Sequence, residues 1–167
     1  MSDLKQAIKQ NYIKCAKEPS YFINQYCTIQ HPQRGKIKFK LYPFQYDVLD
    51  EYQNNDYNVI LKSRQLGIST LSAAYSLWMM LFQNDKNILV IATSKDTAKN
   101  LITKVRIMYE ALPAWLKTAI VENNKLSLIF KNGSQIKAIA SNESAGRSEA
   151  LSLLILDEAD FIEKIDV

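Results

Sequence analysis

The chain reads as an α/β protein with a mainly parallel sheet covered by helices. Three observations predict this: continuous apolar strands rather than alternating ones, helical stretches between them, and polar turns where each strand ends. Residues 58–62 (NVILK), 87–92 (NILVIA) and 153–156 (LLIL) are the apolar runs. Such runs suit strands buried on both faces.

The elements follow in order. Residues 4–17 and 20–29 are expected to be short helices, and 31–35 (HPQRG) a turn. Residues 36–41 (KIKFKL) alternate basic and apolar, as an edge strand does. Pro43 opens a helical stretch, because proline is favoured in a first helical turn. After the 58–62 strand, SRQLGIST leads into an apolar helix ending near Phe82. Ser94 caps the helix after the 87–92 strand. There Ala98, Leu101, Ile102, Val105, Met108, Tyr109 and Leu112 recur at three- and four-residue steps, one apolar face. Residues 126–130 and 135–139 flank an Asn132-Gly133 turn and predict a hairpin.

Composition narrows the class. The 167 residues are 47% hydrophobic and 23% charged, ordinary for a globular domain with a real core. The longest apolar stretch, 71–82, is too short for a membrane span, and residues 1–12 lack the apolar core of a signal peptide. Cys15 and Cys27 form neither a metal-ligand spacing nor a disulfide framework, and a lone His31 is expected at the surface. The net charge of +4 is uneven. Lys5, Lys9, Lys14, Lys17, Arg34, Lys36, Lys38 and Lys40 face only Asp3 and Glu18 within residues 1–40. A basic segment of this kind either contacts phosphate backbones or is a solvated face.

Four motifs carry chemistry. LKSRQLGIST, residues 61–70, lies between a strand and a helix. Against the phosphate-loop pattern G-x-x-x-x-G-K-[ST], Gly67 and Ser69 fit, Ile68 takes the usual lysine position and Lys62 that of the first glycine. A loop entering a helix N-terminus still aims backbone N–H groups and the positive helix end at a phosphate. Lys62 would add the cation, Ser69 could ligand Mg²⁺, and Thr70 could touch a phosphate. LLILDEADF, residues 153–161, ends an apolar strand in two acids. At a strand tip Asp157 can hold Mg²⁺ and Glu158 can orient or deprotonate a water. Gln45, beside Tyr42 and Phe44, has an amide that matches an adenine edge. Ser144-Ala145-Gly146-Arg147-Ser148 is a small-residue loop whose Arg147 could swing toward a phosphate or a neighbouring subunit. Each motif alone also has a plain reading: a turn, a solvated acidic loop, a helical glutamine, a surface arginine. Their order along the chain is that of one nucleotide-binding core.

The stretches FKLYPFQYDVL, ILKSRQLGIST, VIATSKDTAKNL and LLILDEADFI carry a family likeness. From about residue 21 to 162 the chain resembles the N-terminal ATPase domain of large terminase subunits of tailed phages. The resemblance implies a P-loop NTPase core of the ASCE/RecA-like kind, with a mainly parallel sheet flanked by helices, incomplete at the C-terminal end. It implies a division into residues 1–40, a helical and basic lead-in, and residues 41–167, a partial ATPase core, with the nuclease domain absent. It implies ATP and Mg²⁺ as cofactors, with a Walker A loop spanning Lys62, Ser63, Arg64, Gln65, Leu66, Gly67, Ile68, Ser69 and Thr70. Asp157 would be the Walker B metal ligand beside Ser69, and Glu158 the catalytic acid. Gln45 would read adenine, and Arg64 and Arg147 are the two candidate arginine fingers. Double-stranded DNA, a portal protein and a small terminase subunit are the implied partners. A ring of copies on the portal, in the host cytoplasm and away from membranes, is the implied setting. Two rival readings stay open: a DEAD-box-like helicase, because residues 157–160 spell that motif, and an inactive scaffold whose loop has lost its lysine.

Overall fold

The computed structural model describes residues 2–140 and 150–159. Two helices begin the chain, α1 (Ser2–Lys17) and α2 (Pro19–Tyr26). A small antiparallel hairpin follows, β1 (Thr28–His31) and β2 (Gly35–Lys38), with Thr28 opposite Lys38 and His31 opposite Gly35. The end of the expected 20–29 helix is therefore a strand. The Cys27 amide closes α2 on the Ile23 carbonyl, and the Phe39 amide then bonds the Cys27 carbonyl. Helix α3 (Pro43–Asn54) starts at its proline, as expected.

The second half is built on a five-stranded sheet in the order β4-β5-β6-β3-β7. Its strands are β3 (Asn87–Ala92), β4 (Ile120–Asn123), β5 (Ser127–Phe130), β6 (Gln135–Ala140) and β7 (Leu153–Asp157). Helix α4 (Ile68–Phe82) precedes β3, α5 (Lys95–Glu110) follows it, and a 3₁₀ turn (Ala114–Leu116) leads to β4. β3 pairs in parallel with β6 and β7, while β4-β5 and β5-β6 are antiparallel. The sheet is thus mixed rather than mainly parallel. The Asn132-Gly133 turn makes β5 and β6 direct hairpin neighbours, and a hairpin can only be antiparallel. Gly133 sits at φ 80, and a Cβ there would meet the Asp85 carboxylate. Residues 58–62 belong to no strand, against expectation. Val59 and Leu61 are fully open to solvent, while Ile60 between them is half-buried against the core. A strand exists only with a ladder partner, and this run has none among the described residues.

One core joins these parts. α5 packs on β3 and β6, and α4 packs on α5 and α2. In β6 Ile136, Ala138 and Ala140 are buried while Gln135, Lys137 and Ile139 are half exposed. That alternation belongs to a sheet covered on one face more than the other, so the expected two-sided cover is met only in part. The N-terminal helices are tied to α4 by aromatic side chains. Phe82 meets Tyr12 at 5.3 Å and Phe22 at 5.4 Å, edge to face. The Trp78 Nε1–H donates to the Cys15 carbonyl at 2.8 Å. α4 is buried nearly all round, which suits its apolar sequence.

Candidate site at the start of helix α4

The turn that begins α4 is shaped by two residues with left-handed backbone, Gln65 at φ 65 and Gly67 at φ 74. Only glycine adopts that region without strain, so Gln65, an exposed residue, carries backbone strain at this turn. Gly67 is also tight: a Cβ on it would lie 3.0 Å from the Gln45 Nε2. Gln45 has no exposed surface, and both ends of its amide are engaged. Its Oε1 accepts from the Tyr42 amide at 3.1 Å, capping α3, and its Nε2 donates to the Leu66 carbonyl at 3.1 Å. Gln45 therefore clamps the loop to α3 in this conformation. Tyr42 and Phe44 stack beside it, 5.9 Å apart and 6° from parallel.

Lys62, Ser63, Arg64, Gln65 and Leu66 are exposed along the loop. Ile68, at the position where the phosphate-loop pattern has lysine, turns into the core. Ser69 and Thr70 are half buried in the first turn of α4, where the leading N–H groups have no intrahelical acceptor. Gly67, the N-cap, brings no side-chain acceptor for them.

Asp157 closes β7, opposite Ala92 of β3. The Ser69 Oγ–H donates to Asp157 Oδ1 at 2.9 Å. The loop and the acidic strand tip, 88 residues apart, thus meet at one point. They do so although residues 58–62, expected as the strand that leads into the loop, form none. Glu158 follows at φ 57, exposed, so the strand alternation breaks immediately after Asp157. Arg147 lies outside the described residues.

The field of Asp157 reaches two further groups. Burial, chiefly, pushes the Tyr52 hydroxyl above its ordinary range, and Asp157 adds to that rise. Tyr52 bonds Ser72 of α4 at 3.0 Å. Burial pulls the Lys104 ammonium of α5 below its ordinary range, with Asp157 opposing and Lys62 adding. Sequence reading missed Lys104; its one signal was a lysine three residues after Leu101 in an apolar stripe. Among the described residues no group of three or more His, Cys, Asp or Glu could hold a metal ion. Ser69 and Asp157 are nevertheless hard oxygen donors side by side. That set fits Mg²⁺, which takes one or two protein oxygens and completes its shell with phosphate and water. A hollow of about 590 Å³ lies elsewhere, against α3, lined by Asp47, Asp50 and Glu51 among others. Its acids are wrong for a phosphate ligand.

No helix among the described residues is long and apolar enough to cross a membrane. The fold is similar to that in the crystal structure of the HK97 bacteriophage large terminase, with a TM-score of 0.67 at 21% identity. The likeness covers 84% of this chain and 30% of that one, so the chain spans under a third of the protein it matches. Residues 59–166, well over half of the chain, match the family described as terminase large subunit, T4likevirus-type, N-terminal, and the chain belongs to that family.

Proposed function

We propose that this chain is the ATP-binding and ATP-hydrolysing part of a viral large terminase, the motor that drives DNA into a procapsid. The observation that supports this most is the 2.9 Å bond from Ser69 to Asp157, which joins a phosphate-type loop to an acidic strand tip. In this reading the amides of residues 62–70 and the N-terminus of α4 receive the phosphates, and Lys62 offsets their charge. Ser69 and Asp157 would hold Mg²⁺, which when bound neutralises charge on the phosphoryl oxygens. Glu158 orients the attacking water and takes its proton. Arg64 on the exposed loop, or Arg147, supplies the late cation of the transition state. Gln45 serves the nucleotide by fixing the loop, and a direct adenine contact requires it to exchange one of its two bonds.

The partners of this reading are double-stranded DNA, the portal protein and a small terminase subunit. Copies of the full-length protein would form a ring on the portal, in the host cytoplasm. The exposed Lys36, Lys38 and Lys40 suit a phosphate backbone. A helicase reading loses ground to the family membership. The scaffold reading draws on one observation, the apolar Ile68 where the loop pattern has lysine.

Equilibrium binding of Mg²⁺–ATP to the full-length protein separates motor from scaffold. Wild type should bind, and Lys62→Ala should abolish ATP-dependent activity, since one such cation contributes about 10²–10³ in rate. Near-normal turnover by Lys62→Ala removes the displaced-lysine reading, and no binding by wild type leaves the scaffold.

A further inference from the structure

A nucleotide base is told from another by hydrogen bonds to its edge, and an amide side chain suits that task because it both donates and accepts. Two amides flank the start of α3, and the fold uses both. Gln45 has no exposed surface, and its two ends hold the Tyr42 amide and the Leu66 carbonyl. Gly67 lies so close over it that a Cβ would come 3.0 Å from Nε2. Asn24 of α2 donates from Nδ2 to the Ser20 carbonyl at 2.9 Å and to the Tyr46 hydroxyl at 2.8 Å. Its Oδ1 accepts from the Leu41 amide at 3.0 Å. Turning Gln45 toward a base would uncap α3 or free the loop that has to receive the phosphates.

What this end of α3 offers instead is aromatic surface. Tyr42 is 62% exposed and Phe44 37%, and their rings stack 5.9 Å apart, 6° from parallel. One side chain separates this pair from the loop, since Gln45 bonds the Tyr42 amide at one end and the Leu66 carbonyl at the other. Two exposed rings held parallel by the chain present a flat face at little cost in side-chain order. Stacking on such a face tolerates any base, because every base has a π-face.

We infer that the site holds the base of a nucleoside triphosphate by stacking it on Tyr42 and does not read the base edge, so that ATP and GTP bind alike. The inference rests on the nucleotide reading above. It goes beyond that reading by taking base selection away from the site and by making Gln45 a positioning residue for the loop.

The test is competition of ATP, GTP and inorganic triphosphate against a fluorescent ATP analogue on the full-length protein with Mg²⁺. ATP and GTP should differ by less than about tenfold, whereas a site built to bond one base edge rejects the other by about 10⁴-fold or more. A larger preference for either nucleotide overturns the inference and leaves the nucleotide reading intact. Tyr42→Ala, with folding checked by thermal melting, should weaken both nucleotides about 10- to 100-fold and spare inorganic triphosphate. Tyr42→Phe should restore both. Undiminished binding of both nucleotides by folded Tyr42→Ala overturns the inference as well. Gln45→Ala should weaken ATP, GTP and inorganic triphosphate to the same degree, and a loss confined to ATP counts against the inference. Failure of the wild type to bind any of the three removes the nucleotide reading and this inference with it. The comparison on the wild type decides the matter even where a variant does not fold.

Discussion

Glu158 and Asp157 are adjacent acids with different surroundings, and their variants should fail differently. Glu158 is exposed, so Glu158→Gln should keep ATP bound and stop hydrolysis. Asp157 accepts from Ser69, so Asp157→Asn should weaken Mg²⁺-dependent binding instead. Single-turnover hydrolysis beside equilibrium binding checks both, and equal hydrolysis by Glu158→Gln and wild type moves the base elsewhere. Gly67→Ala puts a Cβ into left-handed backbone and against Gln45. It should cost about 1–2 kcal/mol in urea unfolding, the usual strain of that region. The two thiols give a pH effect. Burial pushes Cys15 up to about 11 and Cys27 higher still. An unfolded thiol ionises near 8.5. Above that value the unfolded chain sheds protons the folded one keeps, so stability is intact at neutral pH and falls as pH rises toward about 11. Urea midpoints between pH 7 and 10.5 should show the fall, and Cys27→Ala should flatten it.

At the scale of elements, residues 58–62 and the outer edge of β7 are both unpaired among the described residues. Val59 and Leu61 contribute nothing to the core, while Leu154 of β7 is partly exposed. Exposed apolar strand-like segments promote association between copies. Val59→Lys with Leu61→Lys should therefore reduce light scattering of this chain at high concentration, with the melting temperature essentially unchanged. A large loss of melting temperature would mean that the segment is packed after all. This segment also marks where sequence reading stopped. β3, the apolar face of α5 and the β5-β6 hairpin were legible because their signals are local: an unbroken apolar run, a three-and-four spacing, an Asn-Gly turn. NVILK has an equally good local signal, but a ladder partner is not a local property. β1 was read as the tail of α2 for the same reason, since its pairing depends on β2 seven residues on. At the site, Ser69 and Asp157 were legible as loop and strand-tip residues. Gln45 was singled out for the match of its amide to an adenine edge. Its bonds to Tyr42 and Leu66 could not be read from composition.

At the scale of the molecule, this chain spans under a third of the terminase it matches, and the arginine question belongs to the assembly. Arg147 in the ESAGRSEA segment leads toward the strand that carries Asp157. Such an arginine contributes about 10³–10⁵ in rate when it enters the transition state late. Arg147→Ala should therefore spare ATP affinity and remove hydrolysis. Mixing Arg147→Ala with Glu158→Gln full-length subunits on a portal asks where the finger comes from. Partial recovery of hydrolysis means that it acts between subunits; no recovery at any ratio, with assembly confirmed, leaves it within its own chain or assigns the role to Arg64.

Helix α4 runs the length of this arrangement. Its first turn holds Ser69 against Asp157, and its last turn holds Phe82 between Tyr12 and Phe22. Fifteen residues at 1.5 Å each make a rod of roughly 22 Å. Near its far end the Trp78 indole is pinned to the backbone of α1 at Cys15. A rod gripped at both ends transmits axial displacement with little lost to bending. On the proposed nucleotide reading, travel of the loop on gaining or losing a phosphate would be delivered, as a push or a pull, to the N-terminal helices. Load applied to those helices returns along the same path to Ser69.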